Sequence, residues 1–318
     1  MANTLLNAVK DLRNDSLREL VNAFAFTGEE EATTSSFPGS NYGYISGGKP
    51  VSLDAVESFS FTSDGGGTDV GNLSEGRYNC SGQSSSTHGY TCAGQPGAKD
   101  TIDKFPFTSG FATATDVGNL TGGRNKVAGQ SSIPNGYGYN TGGGNVIDKF
   151  SFSSDGDATV AGNTLTTRSY VAGQSSATHG YTSGNYPITS DIDKFPFSSD
   201  ADATDVGDLS VARGIACGQS SATHGYTSGG YTTGRDDTID KFSFSTDGNA
   251  TDIGQLSVTR NGPAGQSSTT HGYSVAGYQP SGPSNVIDKF PFASDFSGTA
   301  TDVGDLTTGR YYGTGQQY

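Results

Sequence analysis

The sequence contains no tryptophan, and its only methionine is the first of its 318 residues. Hydrophobic residues make up 31% of the chain, and no run of 18 apolar residues occurs, which argues against a helical bundle with a thick core and against a membrane-spanning helix. The N-terminus lacks the basic and apolar regions of a secretory signal, so we expect no export by that route. Glycine, at 48 residues, is abundant instead, which favours many thin layers of structure.

Positive charge is also scarce, with 18 Lys and Arg against 32 Asp and Glu and a net charge of −14. This balance disfavours nucleic acid and anionic lipid as partners. Three cysteines are too few for a disulfide framework. We expect Cys80 and Cys92 to be free thiols on neighbouring strands, and Cys217 has no evident acid–base partner.

A repeated phrase organises most of the chain. The phrase "(I)DKF(S/P)F", with a weaker "ESFSF" in the first copy, recurs every 45 to 48 residues. Its first aromatic residue is Phe59, Phe105, Phe150, Phe195, Phe242 and Phe290. Between copies come a "TDVGNL"-like segment, an Arg, a "GQ" and a "GY". Four short segments in a period in the mid-forties predict a β-propeller in which each repeat is one blade.

Each repeat supplies four predicted strands: strand a is "VAGQSS", b is "HGYTSGG", c is "IDKFSFS" and d is "ATDVGDL". Glycine and serine suit strand a because the blades crowd together at the axis, whereas Phe and Tyr belong between blades. The first recognisable segment, 41–48, is a strand b, and the last, 310–318, is a strand a. We therefore predict that 310–318 completes the first blade and closes a six-bladed ring.

The order of these motifs resembles the kelch family of propellers over about 42–318. The resemblance rests on "GYTSGG", on "VIDKFSF" and on the "GR" before each inner strand. The sequence departs from the family in strand d, where "VGDL" replaces the tryptophan, and in several broken glycine doublets. The resemblance implies an all-β, six-bladed, kelch-like β-propeller over residues 41–318.

The loops between strands b and c vary most. In the five complete copies, 13 residues separate the Arg from the Tyr of "GY", as between Arg77 and Tyr90 and between Arg124 and Tyr137, so we predict an invariant a–b hairpin. The b–c interval instead ranges from 13 to 17 residues. We predict that the face carrying these loops binds a ligand through Tyr186, Tyr231 and Tyr278. The alternative is that the loops are solvated connections without a ligand.

Chemistry-bearing residues recur once per repeat, and this argues against catalysis. The histidines stand at one repeat position, where Asn135 and Tyr42 stand in the other blades, and we predict a turn role for them: His88, His179, His224 and His271. Asp-rich turns such as "SSDADATD" resemble part of a calcium loop but lack its full spacing and terminal Glu, and Asx and Gly turns explain them adequately. We expect no enzyme, no metal site and no cofactor.

The repeated Asp and Lys of "DKF" and the repeated Arg are predicted to pair between blades. From residue 32 onward, 11 of the 15 basic residues occupy these repeat positions. The remaining four are Lys49, Lys99, Lys126 and Arg235. We therefore expect no basic patch for nucleic acid.

The N-terminal segment has the only helical pattern. Residues 4–25 carry two apolar stripes, and Ser16 and Glu19 form a capping box between two short helices. The predicted docking residues are Leu5, Val9, Leu12, Leu17, Leu20, Val21 and Phe24. We predict a helical docking segment at 1–26 and a linker at 27–40.

The phrases "IDKF(S/P)FSSD", "ATDVG(N/D)L" and "GQSS.THGYTSGG" also resemble structural proteins of marine bacteriophages, particularly cyanophages. That resemblance implies a virion component assembled in the host cytoplasm, attached to other virion proteins through 1–26 and displaying its loop face to a host-surface glycan. It leaves tail and capsid positions open. The alternatives are an architectural capsid decoration without ligand, a kelch-type carbohydrate enzyme of the galactose-oxidase class, and a cellular adaptor.

Overall fold

A computed structural model describes residues 39–293 and 296–317 as an all-β, six-bladed propeller. Blade 1 contains β1 (Tyr42–Ser46), β2 (Ala55–Ser60) and β3 (Thr68–Asn72). Blade 2 contains β4 (Ser81–Ser84), β5 (His88–Cys92), β6 (Lys99–Pro106) and β7 (Thr115–Arg124). Blade 3 contains β8 (Val127–Ser132), β9 (Tyr137–Gly142), β10 (Gly144–Ser151) and β11 (Thr159–Arg168).

The second half of the chain repeats this arrangement. Blade 4 contains β12 (Ala172–Ser175), β13 (His179–Asn185), β14 (Thr189–Pro196) and β15 (Thr204–Asp208). Blade 5 contains β16 (Cys217–Ser220), β17 (His224–Tyr231), β18 (Arg235–Ser243) and β19 (Thr251–Arg260). Blade 6 contains β20 (Ala264–Ser267), β21 (His271–Val275), β22 (Tyr278–Gln279), β23 (Gly282–Pro291) and β25 (Thr301–Arg310).

The chain ends meet in blade 1. The last strand, β26 (Thr314–Gln317), pairs antiparallel with β1 and is the innermost strand of that blade. The predicted closure of the ring by 310–318 is therefore confirmed. Another short strand, β24 (Gly298–Thr299), leaves the c–d loop of blade 6 and runs parallel to the outer strand of blade 5, covering part of its edge.

The N-terminal predictions fall almost entirely outside the described residues. These are the docking segment 1–26, its apolar residues Leu5, Val9, Leu12, Leu17, Leu20, Val21 and Phe24, and most of the linker 27–40. At the end of the linker, the backbone N–H of Gly39 donates to the carbonyl of Ser267 at 2.8 Å. Residue 39 is therefore anchored to the inner strand of blade 6.

Six glycines of the "GQ" phrase surround the axis. A Cβ on any of them would overlap the carbonyl oxygen of its counterpart in a neighbouring blade. The six are Gly82, Gly129, Gly173, Gly218, Gly265 and Gly315. The crowding that we predicted for the inner strands is confirmed, and it explains why the axis tolerates only the smallest residue.

The glutamine of each "GQ" joins its blade to the next. Its Nε2 donates to the main-chain carbonyl of the strand-b tyrosine in the following blade, over 2.8 to 3.0 Å. The pairs are Gln83–Tyr139, Gln130–Tyr181, Gln174–Tyr226, Gln219–Tyr273, Gln266–Tyr44 and Gln316–Tyr90. Because buried amides need partners, this closed series specifies how neighbouring blades meet.

Aromatic rings fill the space between blades, as predicted. Tyr90 of blade 2 packs on Phe150 and Phe152 of blade 3, with ring centroids 5.4 and 5.0 Å apart. The same arrangement recurs where Tyr139 meets the paired phenylalanines of blade 4. These rings pack in the same buried clusters as aliphatic residues such as Ile102 and Leu120.

The predicted pairing of charges between blades is also confirmed. Each repeat Arg forms a buried ion pair with an acidic residue of the next blade. These pairs are Arg77–Asp103, Arg124–Asp148, Arg168–Asp193, Arg213–Asp240, Arg260–Asp288 and Arg310–Glu57. Repeat lysines pair with Asp side chains in the c–d loop of the next blade, for example Lys194 with Asp247 at 2.6 Å.

In blade 3, the register of the strands differs from the one predicted by aligning the sequence repeats. Its "GYGY" offers two registers, and the structure uses Gly138 and Tyr139 rather than Gly136 and Tyr137. The physical reason is that Gly138 lies beneath Phe150, where any Cβ would overlap the ring. Tyr137, not Asn135, therefore occupies the histidine position, and the a–b hairpin of blade 3 is two residues longer than the others. The prediction of an invariant hairpin was wrong.

Candidate ligand-binding site

The b–c loops and the d–a connections lie at the same face of the propeller, and short backbone bridges join them. In blades 1, 2, 5 and 6, the d–a connection pairs with the b–c loop of the blade that it enters. In blade 2, the N–H of Gln95 donates to the carbonyl of Tyr78 at 2.8 Å, and the reverse bond measures 3.1 Å. Similar bridges are Lys49–Tyr311, Gly214–Tyr231 and Asn261–Tyr278. These bridges bring residues distant in sequence to one surface, which we call the bridge face.

Buried arginines lie beneath the bridge face and donate hydrogen bonds to the carbonyls of its loops. Arg310 donates from Nη1 to the carbonyls of Gly47 and Ala55, at 3.3 and 3.1 Å, while its Nη2 pairs with Glu57. Burial lowers the pKa of Arg310, and the Glu57 carboxylate opposes that shift. The loop that carries Lys49 is therefore fixed by charge-assisted hydrogen bonds.

A closed ring of backbone hydrogen bonds surrounds the mouth of the axial channel. One residue per blade, two positions after the repeat Arg, adopts a left-handed conformation with φ between 55° and 64°. Its N–H donates at 2.8 Å to the carbonyl of its counterpart in a neighbouring blade. The six are Asn79, Lys126, Tyr170, Ile215, Gly262 and Tyr312. The strain of five non-glycine residues in this conformation is offset by a ring that leaves none of these amides unpaired.

Six tyrosines form a continuous row across the bridge face. Successive ring centroids are 4.9 to 6.3 Å apart. The order is Tyr231, Tyr186, Tyr170, Tyr312, Tyr311 and Tyr278. The three tyrosines singled out from the sequence thus share one surface, and Tyr170, Tyr312 and Tyr311 connect them.

The connecting tyrosines were not among the residues predicted from the sequence, because they lie in the d–a connections and not in the b–c loops. They stand in the two positions after the repeat Arg, which read "YN", "NK", "SY", "GI", "NG" and "YY" in the six copies. Such variation beside an invariant residue was a usable signal, since variable positions on a fixed scaffold commonly carry recognition.

A cleft of about 430 Å³ opens at one end of this row. Its lining consists of tyrosines, amides and two cations: Lys49, Tyr78, Asn79, Gln95, Tyr170, Arg235, Asn261, Tyr278, Tyr311 and Tyr312. Of the three predicted ligand-binding tyrosines, Tyr278 lines this cleft, whereas Tyr186 and Tyr231 extend the row beyond it. Two buried polar atoms of the lining, Arg235 Nε and Asn261 Oδ1, have no hydrogen-bond partner in the described structure.

Two phenols of the row, those of Tyr170 and Tyr312, have raised pKa values. Burial raises the pKa of Tyr312 to about 12, and the neighbouring Tyr170 and Tyr311 add to the shift. Burial also raises the pKa of Tyr170. The row therefore offers apolar ring faces together with phenol hydroxyl groups, which can donate or accept hydrogen bonds.

The repeated histidines lie at the a–b turns, on the opposite face. The N–H of His88 donates to Ser85 Oγ at 2.9 Å, and its Nδ1 lies 2.8 Å from Thr87 Oγ1. The same contacts recur at His179, His224 and His271. The predicted turn role is confirmed. Within 39–293 and 296–317, no group of three or more His, Cys, Asp or Glu side chains could hold a metal.

The three cysteines are buried free thiols, which confirms the prediction made for Cys80 and Cys92. Burial raises the pKa of the Cys80 thiol to about 12 and that of Cys92 well above its usual range. The part of the chain that the structure describes has no helix long and apolar enough to span a membrane.

No protein-family model matches the chain, and no curated protein matches it either.

Proposed function

We propose that this protein is a non-enzymatic recognition module that binds carbohydrate on the bridge face. The observation that carries the proposal is the row of six tyrosines leading into a cleft lined by tyrosines, amides and cations. A propeller fold suits the role because its rigid blades hold variable loops in a fixed arrangement.

The chemistry of the face matches a sugar chain. Tyrosine rings present flat apolar surfaces for the C–H faces of pyranose rings, and their hydroxyls can bond to sugar hydroxyls. Asn79, Gln95 and Asn261 add amide donors and acceptors at the cleft. A row of rings spaced about one ring width apart suits an extended oligosaccharide better than a compact metabolite.

The non-enzymatic assignment is supported by what the candidate catalytic groups do. The described histidines are engaged in turns, and the cysteines are buried with raised pKa values. The deep carboxylates pair with arginines between blades. The bridge face instead offers tyrosine rings, amides and cations, which suit ligand binding.

We further propose that the protein is a virion structural component of a bacteriophage and that residues 1–26 attach it to other virion proteins. Support for this part comes from the resemblance of the repeated phrases to cyanophage structural proteins. Tail and capsid positions are equally compatible with it, as is an architectural decoration without ligand. Mass spectrometry of purified particles tests the assignment, and absence of the chain from particles would overturn it.

Attachment through residues 1–26 has a separate test. The pair Leu20→Asp and Phe24→Asp places charges on the predicted apolar stripe and is expected to abolish incorporation into particles while leaving the propeller folded. Incorporation at the normal level would rule out docking through this segment.

The binding role is tested by replacing Tyr186, Tyr231 and Tyr278 with alanine, singly and together, and measuring retention on host cells and on a glycan array. By analogy with aromatic pairs, each sugar–tyrosine stack contributes about 0.5–1.5 kcal/mol, so single changes should weaken binding modestly and the triple change by more than about tenfold. The matched control replaces Tyr42 and Tyr137, which are 45% and 36% exposed at the opposite face. Equal binding by the triple variant and the control would move recognition to another surface.

A further inference from the structure

We propose that the cleft selects an anionic glycan, one bearing carboxylate or sulfate groups; this inference rests on the proposed function and specifies its ligand. The starting observation is the location of the cations that the repeat does not use. Lys49 Nζ lies 4.2 Å from the centroid of the Tyr78 ring, and Arg235 Cζ lies 4.7 Å from that of Tyr278. Lys126 Nζ lies 4.9 Å from the Tyr170 centroid at the same mouth.

The described lining of the cleft contains two cations and no carboxylate. The chain carries 32 Asp and Glu residues, yet none of those within 39–293 and 296–317 lines the cleft. The nearest acidic residue in sequence, Asp236, uses Oδ1 to accept the N–H of Thr238 at 2.8 Å. The protein has a net charge of −14, so a cleft lined by cations and no carboxylates has a local charge opposite in sign to that of the whole chain.

The three cations are not neutralised within the protein. Among the described residues, Lys49, Lys126 and Arg235 form no salt bridge, whereas Lys99, the other cation outside the repeat, pairs with Glu75 at 2.7 Å. Stacking on a tyrosine ring fixes the position of a cation but leaves its N–H groups without an acceptor. The side chains are therefore positioned but electrically unpaired.

Two unpartnered atoms indicate how a ligand would be held. Arg235 Nε is a buried donor without a partner, and Asn261 Oδ1 is a buried acceptor without one. A guanidinium presents parallel N–H groups that match the two oxygens of a carboxylate or sulfate. An acidic sugar would satisfy Arg235 with its charged group and Asn261 with a neighbouring hydroxyl, removing the free-energy cost of leaving both unpaired.

The net negative charge of the protein limits the distance over which the cleft cations can attract an anionic glycan. Because the net charge repels anions at a distance, the cleft cations must act at contact, within the screening length of about 10 Å at 0.1 M salt. We therefore expect affinity for an acidic glycan to fall as salt is raised and affinity for a neutral glycan to change little.

The test uses a glycan array of matched pairs, each acidic glycan beside its neutral counterpart: uronates with their carboxyl-reduced forms, sialylated with desialylated chains, and sulfated with desulfated chains. The full-length protein should bind acidic members at least about tenfold more tightly than their partners. The variant Lys49→Gln with Arg235→Gln should lose that preference. The control, Lys104→Gln with Lys194→Gln, changes the net charge equally near the c–d loops and should keep it.

The outcomes separate this inference from the proposed function. Equal affinity for the acidic and neutral members of a pair, with loss of both in the tyrosine variants, would overturn the anionic ligand and retain carbohydrate binding. Preservation of the acidic preference in the Lys49 and Arg235 variant would remove these residues from recognition. Failure to bind any member of the array, charged or neutral, would overturn both proposals.

Discussion

Gln316, in the last strand of the chain, donates from Nε2 to the main-chain carbonyl of Tyr90 at 3.0 Å. The bond joins blade 1, completed by the C-terminal strand, to blade 2. In the same place, the N–H of Gln317 donates to Ser84 Oγ at 3.0 Å. The last strand is thus both the inner strand of its own blade and the link to the next.

Removal of residues 310–318 should therefore prevent stable folding. The deletion exposes the edge of β1 and leaves Glu57 buried without Arg310. We expect aggregation or a large fall in the melting temperature, measured by circular dichroism and size-exclusion chromatography. The single change Gln316→Ala removes the bonds from Nε2 to the Tyr90 carbonyl and Thr91 Oγ1 of blade 2 and to Ser46 Oγ of its own blade, and should cost about 1–3 kcal/mol. Unchanged melting of the truncated protein would show that the ring does not need this strand.

Gly129→Ala should destabilise the axis. The added Cβ would overlap the carbonyl oxygen of Gly82, and the closed ring has no direction in which to relax. Overpacking of this kind lowers the free energy of unfolding by about 1–3 kcal/mol or more. The loss is measured as a lower midpoint in urea denaturation. Gly122→Ala is the matched control, because nothing lies within 4 Å of its Cβ position. Equal midpoints for the two variants would contradict the crowding argument.

The substitution Asp193→Asn should lower the free energy of unfolding far more than Asp247→Asn does. Arg168 donates to both oxygens of Asp193, from Nε at 2.8 Å and from Nη2 at 2.7 Å, and both side chains are buried. Neutralising one partner leaves a buried charge, at a cost of about 3–5 kcal/mol. Asp247, 57% exposed and paired with Lys194, should contribute less than about 1 kcal/mol. Chemical denaturation of both variants measures the difference, and similar losses would refute it.

Stability should fall as the pH is lowered through the histidine range. Burial, with a nearby lysine as the second cause, lowers the pKa of the four turn histidines below 6.5. Between the lowered folded value and 6.5, the unfolded chain binds more protons, so acidification in that window favours unfolding. We expect a lower melting temperature at pH 5 than at pH 7.5.

A variant with all four histidines changed to glutamine isolates this effect. Burial raises the pKa of Asp148, Asp193 and Asp288, and a raised acid pKa favours the fold as pH falls, opposite in sign to the histidines. Those carboxyls remain in the variant, so the difference between the two melting curves reports the histidines alone. A variant whose melting temperature falls with acid as steeply as that of the parent would disprove the assignment.

Only some residues of the bridge face could be predicted from the sequence. Tyr186, Tyr231 and Tyr278 were identified because they lie in loops whose length varies. Tyr311 and Lys49 were not connected, since they lie at opposite ends of the chain and meet only when β26 enters blade 1. In blade 3, the choice between Tyr137 and Tyr139 depended on which glycine fits beneath Phe150. Neither relationship has a local sequence signal.

The sequence by itself determined the number of blades, the order of the strands and the closure of the ring. The reason is that the sequence of each blade has the same pattern of small, aromatic and charged residues, and a repeated pattern requires a repeated set of contacts. The tertiary structure alone decided which variable residues share a surface, which tyrosines form the row and which cations remain unpaired. These depend on backbone bridges between segments remote in sequence, and such contacts exist only after the ring has closed.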